Sequence, residues 1–266
     1  MLNAHVECDQ NNTDIYFSIN YFSLSGWQVM LHGFFILKII IAAIVFQITV
    51  TAQAQNLVSF DQKGEKNLMD LIQSGDALTA LITQEGAGNR FSGSQDGISQ
   101  FLSVNQEGTS FASISQRGLD NSSTLSQAGS GNNGYISQLG EALQTSLIQN
   151  GDRHVGSIIQ DGMNHEVILR QYGDGHVARV AQHGNANIVQ IEQNGNRNKA
   201  LALQFGTGNN YKLSQSGSDL IAPDVKQYDG ATAWIIQTME GPVDQIGEPI
   251  SSPITPIMKV NNVMKN

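Results

Sequence analysis

The sequence predicts an all-β fold: a two-sheet β-solenoid of stacked strand-turn-strand repeats, with 22-residue rungs and 11-residue half-repeats. Three observations carry this. Gln-x-Gly recurs fifteen times in one register, every eleven residues except for one step of ten between Gln106 and Gln116. The side chain two positions before these glutamines is apolar in fourteen of the fifteen copies, Gly93 being the exception. No proline occurs before Pro223, so nothing interrupts a backbone ladder over the repeats.

The glutamines are Gln62, Gln73, Gln84, Gln95, Gln106, Gln116, Gln127, Gln138, Gln149, Gln160, Gln171, Gln182, Gln193, Gln204 and Gln215. Four positions before each, the residue is mostly small or apolar, as at Val58, Met69, Ala80 and Val167. Six positions before, Asn dominates, as at Asn67, Asn121, Asn187, Asn198 and Asn209. Alternation with period two puts Asn, both apolar positions and Gln on one face of a strand that ends near the Gln. The following glycines form the turn with the next two or three residues, because Gly reaches backbone angles other residues resist. They are Gly64, Gly75, Gly86, Gly97, Gly108, Gly118, Gly129, Gly140, Gly151, Gly162, Gly173, Gly184, Gly195, Gly206 and Gly217.

One such strand has a single apolar face and two unpaired edges, so it is not stable alone. Two consecutive units fold as an arch, and stacked arches satisfy the backbone. Residues 22 apart then lie about 4.8 Å from each other. Gln62, Gln84 and Gln106 fall in one column; Gln73 and Gln95 begin another. A buried Gln is costly unless paired. In a stack each amide donates to one neighbour and accepts from the other, which is why Gln and Asn occupy the polar positions of this self-assembly ladder. Fifteen units make about seven and a half rungs, a stack about 36 Å tall.

The segment from Asn187 through Gln193, Gly195, Asn198 and Ala200 to Gln204 is similar, almost position by position, to the curlin repeat of bacterial curli subunits. The resemblance covers residues 56 to about 217. Most units keep Gly after both Gln columns, where the family often varies it in the second. The repeats also begin directly after the expected cleavage site, where the familiar subunits carry a short export segment. The resemblance implies a secreted, extracellular fibre subunit of the bacterial cell surface that self-assembles as functional amyloid for biofilm matrix and adhesion. It implies as partners copies of itself, a second curlin-like subunit and an outer-membrane curli-type exporter. Major and minor (nucleating or anchoring) subunits are both open on this reading.

Composition and the chain ends add further expectations. Aromatic and charged residues are sparse, at 7% and 14%, so a conventional close-packed core is not expected. Lys38, the apolar run Ile39–Phe46 and Ala52-Gln53-Ala54 predict a secretory signal over 30–54. Residues 1–29 read as an upstream extension from a misassigned start, the true start being Met30. The single cysteine, Cys8, falls in that extension, so the mature chain is expected to hold no disulfide. The net charge of −9 argues against nucleic acid as a partner. Asp76, Asp96, Asp120, Asp152, Asp161 and Asp174 sit between strands, where charge repulsion slows premature stacking.

The repeat solenoid is expected over 55–217 and a degenerate last rung, with Gln227 and Gln237, over 218–240. An irregular tail follows over 241–266. All five prolines fall after residue 222. The tail reads either as a cap that stops edge pairing or as a docking or export segment.

No residues stand out as catalytic, and no cofactor or dedicated small molecule is implied. The glycines are punctuation rather than a phosphate loop. His154, His165 and His176 occupy successive Asn positions, and His154 and His176 are 22 apart. They read as polar ladder members, with His154 and His176 also weak metal candidates. Two functions of a different class, ice binding and action on polysaccharide, use solenoids too. The first needs a flat array of outward Thr, whereas Thr83, Thr109, Thr124 and Thr145 are scattered. The second usually breaks its repeat to build a cleft, and nothing here does so.

Overall fold

The computed structural model describes residues 56–238 and, before them, the backbone of five strands, Leu2–Cys8, Asp14–Asn20, Val29–His32, Phe35–Ile41 and Ile44–Ala52. The expected upstream extension and signal segment fall on those five strands, of which Leu2–Cys8 pairs antiparallel with Leu57–Lys63 and Ile44–Ala52 pairs in parallel with Leu68–Asp76; the tail from residue 241 lies outside the described residues. Every described element is a strand. From residue 57 onward they are β1 (Leu57–Lys63), β2 (Leu68–Asp76), β3 (Thr79–Gly86), β4 (Arg90–Ile98) and β5 (Phe101–Leu119). Next come β6 (Ser122–Glu141), β7 (Gln144–Asp152), β8 (Val155–Met163), β9 (Glu166–Asp174) and β10 (Val177–Asn185). The last are β11 (Ile188–Asn196), β12 (Lys199–Thr207), β13 (Asn210–Ser218), β14 (Val225–Tyr228) and β15 (Thr232–Thr238).

Each strand pairs in parallel with the strand one full turn away, so Gln149 lies beside Gln127 and Gln171, and Gly173 beside Gly151 and Gly195. β5 and β6 run through a corner and contribute to both walls. The first wall holds β1, β3, the leading halves of β5 and β6, then β7, β9, β11, β13 and β15. The second holds β2, β4, the trailing halves of β5 and β6, then β8, β10, β12 and β14. The fold is a parallel β-solenoid of about eight turns with a 22-residue spacing. Its one ten-residue step is absorbed where the pairing shifts between Thr109 and Phe111.

The inward side chains form a thin apolar layer between the walls, from Val58 and Phe60 at one end to Leu213 and Ile235 at the other. Sizes compensate across it. Gly93 breaks the apolar column because the Phe91 ring fills its place: a Cβ there would lie 2.5 Å from the ring. Gly134 is likewise filled by Leu125 and Leu147 of the opposite wall, with an added Cβ only 2.6 Å from Leu125.

The corners differ from the expected turns. The strands do not end at Gln but run on through the glycine, because each glycine pairs with the glycine one turn away and the ladder continues. The chain breaks two residues later, at a left-handed residue such as Ala142, Ala186 or Gly208 (φ +53°, +53° and +71°). The repeat glycine is required for closeness as well as angle. At Gly151 (φ +121°) a Cβ would lie 1.8 Å from the carbonyl oxygen of Gly173. Real Cβ atoms do not approach backbone this closely, so neighbouring rungs would have to separate.

Two glycine substitutions should therefore behave differently. Gly208→Ala has open space around it and an angle that Ala142 and Ala186 already adopt, so it should cost about 1–2 kcal/mol. Gly151→Ala should cost more than about 4 kcal/mol, because the clash is with backbone in a packed stack. Denaturant midpoints of the two variants check this; equal midpoints would show that the corners do not need the close approach.

Candidate functional site

The repeat glutamines lie in two columns, one behind each wall. All fifteen are at most 2% exposed, as are Gln227 and Gln237, which continue the columns through the degenerate last units. Each Gln Nε2 donates to the Oε1 of the Gln one turn further on. The distance is 2.7–3.0 Å in every step from Gln73 to Gln95 onward, ending with Gln215 to Gln237. The same nitrogen donates its second hydrogen across the core to a backbone carbonyl at the start of a strand in the other wall. Gln149 reaches Asn133 (3.2 Å), Gln171 reaches Val155 (3.2 Å) and Gln204 reaches Ile188 (2.9 Å). The amide therefore ties rungs along the axis and walls across it.

Two hydroxyls that sequence reasoning passed over join these columns. Ser123 Oγ donates to Gln138 Oε1 (2.8 Å) and accepts from Gln116 Nε2 (3.2 Å). Thr145 Oγ1 does the same between Gln160 and Gln138. Their signal was a hydroxyl residue at an inward position four before Gln, where other units place Val, Ala or Leu.

The Asn positions do not form the expected amide ladder. Their partners are backbone groups at the corners. Asn198 Nδ2 donates to the carbonyls of Asn194 (3.0 Å) and Gly217 (3.1 Å), and its Oδ1 accepts from the Leu220 N–H (3.0 Å). Asn187 brackets His183 and Gly206 in the same way. One amide-to-amide step occurs, from Asn209 Nδ2 to Asn187 Oδ1. The glycine corner leaves carbonyls that no strand satisfies, and a short side chain with donor and acceptor on one group fits there. Gln100, one methylene longer, keeps both donor bonds, but its Oε1 has no partner among the described residues.

The histidines take this corner role. The Nε2 of His154, His165 and His176 lies 3.2, 3.2 and 2.9 Å from the carbonyls of Asn150, Asp161 and Tyr172. The Nδ1 of each accepts a backbone N–H one turn on, from His176, Asn187 and Asn198 respectively. A backbone N–H only donates, so each ring is neutral with its proton on Nε2. The His154 and His176 rings stack at 5.0 Å and 7°. Both nitrogens of each ring are thus engaged. No group of three or more metal-ligating side chains occurs among the described residues. Burial pushes all three imidazoles below their ordinary range, and the neighbouring His176 and His183 push His154 and His165 further. Asp152 and Asp174 near His154, Asp161 near His165 and Asp174 near His176 act the other way.

The outward faces carry charge in matched columns. Lys63 pairs with Glu85, Arg117 with Asp96, Arg153 with Asp174, Arg197 with Asp219, and His183 with Asp161, each across one turn. Such exposed pairs add little energy but favour the in-register stack. The large exposed apolar residues gather on the second wall and its corners, among them Ile98, Leu119, Leu139, Ile159, Met163 and Tyr228. On the first wall only Leu81 and Trp234 belong to this group.

Replacing an interior glutamine should strand several buried groups at once. Gln149→Ala removes the acceptor of one Gln127 Nε2 hydrogen and the Nε2 donor to Gln171 Oε1 and to the Asn133 carbonyl, at about 1–3 kcal/mol for each group stranded. Gln149→Asn should be nearly as damaging, because the shorter side chain reaches neither rung nor opposite wall. Ser126→Ala, on the outer face, should stay within about 0.5 kcal/mol of the parent. Unfolding midpoints of the three variants decide this; a mild Gln149→Asn would show that the cross-wall bond is dispensable.

The histidines should make stability fall in mild acid. The folded state holds them neutral, while the unfolded chain takes protons near pH 6.5. Their contribution is complete above about pH 6.5 and declines as pH falls from there toward the lowered folded values. Replacing all three by Asn keeps the corner bonds and should remove this decline while leaving neutral-pH stability in place. Unfolding midpoints between pH 7.5 and 4.5 test it; an unchanged profile in the triple variant would assign the acid response to carboxylates.

The model of the curlin-associated-repeat family matches the chain five times, at residues 64–97, 110–140, 141–173, 166–195 and 184–217. No curated protein and no solved structure matched the chain. The matched segments span more than half of the 266 residues and coincide with the stacked turns and their Gln columns. The chain belongs to the curlin-repeat family and is a curli-type structural subunit.

Proposed function

We propose that this chain is secreted and polymerises into extracellular curli-like amyloid fibres that build biofilm matrix and adhere to surfaces. The observation that carries this reading is the ladder itself. It is parallel and in register over the described solenoid, and its bonding pattern has no built-in stop. A stack of this kind ends in strand edges whose N–H and C=O groups template another copy. Growth adds one copy after another, and the partners are further copies, a second curlin-like subunit and a curli-type exporter in the outer membrane. The chemistry is backbone pairing and amide stacking, with no catalytic step and no cofactor.

A second reading is a minor subunit that nucleates or anchors the fibre. The C-terminal sequence favours it: the repeat loses its Gln-x-Gly register after Gly217, and all five prolines follow.

The test is to purify the secreted chain and follow dye binding and fibre diffraction without seed. Fibres with reflections near 4.8 and 10 Å are expected. A chain that stays monomeric at high concentration would remove the fibre reading. Deleting residues 241–266 separates the roles. Faster assembly marks the tail as a cap. Unchanged assembly with loss from the cell surface marks it as an anchor.

A further inference from the structure

The second wall shows an apolar field to the outside over six successive strands. They run from the trailing half of β5 through the trailing half of β6, then β8, β10 and β12, to β14. Leu139 is 47% exposed, Ile159 50% and Tyr228 61%. No described strand lies over this face: those before residue 57 pair only with β1, β2 and one another.

Outward side chains line up in rows along the stack. One row reads Ser115, Ser137, Ile159, Ala181, Leu203 and Lys226. A second, two residues further along each strand, reads Arg117, Leu139, Asp161, His183, Phe205 and Tyr228. Both rows are complementary to themselves when reversed about a midpoint between β8 and β10. In the first row Ile159 falls on Ala181 and Leu203 on Ser137, large on small. In the second Leu139 falls on Phe205, Asp161 on His183 and Arg117 on Tyr228.

We propose that this wall docks on the same wall of a second copy, the two stacks running in opposite directions about a two-fold axis parallel to the strands. A two-fold contact requires a surface complementary to itself, and the rows supply it. Leu139 meets the partner's Phe205, and Tyr135 meets the partner's Leu201. Ile159 sits over the partner's Ala181 and Ser137 under the partner's Leu203, so the faces interdigitate at the sheet spacing of about 10 Å. Asp161 meets the partner's His183, the same match that Asp161 and His183 make within the chain at 3.1 Å. Arg117 meets the ring of the partner's Tyr228.

A two-fold axis along the stack fits less well. It sets Arg179 on the partner's His183, and Ile159 and Leu203 each on its own counterpart. The size of the field also suits a protein partner. Six strands by eight residue steps measure about 29 Å by about 26 Å, and two such faces bury about 1,500 Å², the size of a standard specific interface. Asp161 and Arg179 in the middle of the field call for a matched polar partner, which a second copy provides and a lipid surface does not. The contact is made by faces and not by ends, so it stands whether or not copies also join end to end.

Single cysteines read the contact. Ser137→Cys and Leu203→Cys are placed in separate Cys8→Ser chains, one of them tagged to change its size. Residue 137 then lies about 10 Å from the partner's residue 203 and about 17 Å from the partner's residue 137. Between copies joined end to end, residues 137 and 203 are at least about 24 Å apart. A short bis-maleimide added to the mixed secreted proteins should give mixed dimers on a denaturing gel, and several-fold fewer dimers from either chain alone. Dimers from Ser137→Cys alone in place of mixed ones would mean stacks running in the same direction and would overturn the arrangement. Equal yields from Ser126→Cys, on the first wall, would mean non-specific bundling and would also overturn it. So would the absence of dimers; if deleting residues 241–266 then produced them, the tail would be the occupant of this face. As a second measurement, Leu139→Lys should cut mixed dimers several-fold with an unchanged unfolding midpoint, while Leu81→Lys on the first wall leaves the yield as it was. Equal yields from these two lysine variants would rule out the contact at Leu139.

Discussion

Burial of the glutamine amide is the constraint from which the rest of this structure follows. An unpaired amide in the core would cost about 1–3 kcal/mol for each stranded group, and the columns hold seventeen of them, from Gln62 to Gln237. The cost is avoided only if every amide meets its counterpart one turn on while also reaching the facing wall. That requirement admits one register. A slip of one residue would put Gln on the outer face and polar outer residues in the core.

The corner chemistry is a consequence of the same register. Holding strands at ladder distance brings backbone to backbone at each bend, which only glycine permits, as at Gly151 against Gly173. The bend then leaves carbonyls without strand partners. Asn supplies donor and acceptor from one short group, and a neutral imidazole does the same with its two nitrogens. The histidines are thus Asn analogues that carry a proton-dependent weakness. Leu78 and Leu143 occupy the same position without any such bonds, so single omissions are tolerated where the neighbouring rungs hold the corner.

A stack built this way stores little of its specificity in side-chain packing. The apolar layer is thin, and it accepts swaps such as Phe91 for the space at Gly93 or Leu147 for the space at Gly156. Its direction comes from amide polarity, all Nε2 groups pointing toward the C-terminal end. The acceptor end and the donor end of one copy are therefore complementary to each other and not to themselves, which favours open, heterologous association over closed pairs.

The sequence by itself determined the class of fold, the rung length, the inward faces and the two glutamine columns. Period-two alternation and an eleven-residue recurrence leave the chain few other ways to bury Gln62 through Gln215. It did not reveal that the strands pass through the glycines, because pairing between glycines one turn apart is a property of the stack. It did not reveal that Asn198 and His176 bond backbone rather than each other, because the unpaired carbonyls exist only once the corner has formed. Nor did it show Ser123 and Thr145 entering the Gln columns of the opposite wall. Those contacts depend on how the two walls face each other, and that distance and offset are decided by packing across the core, which no local pattern encodes.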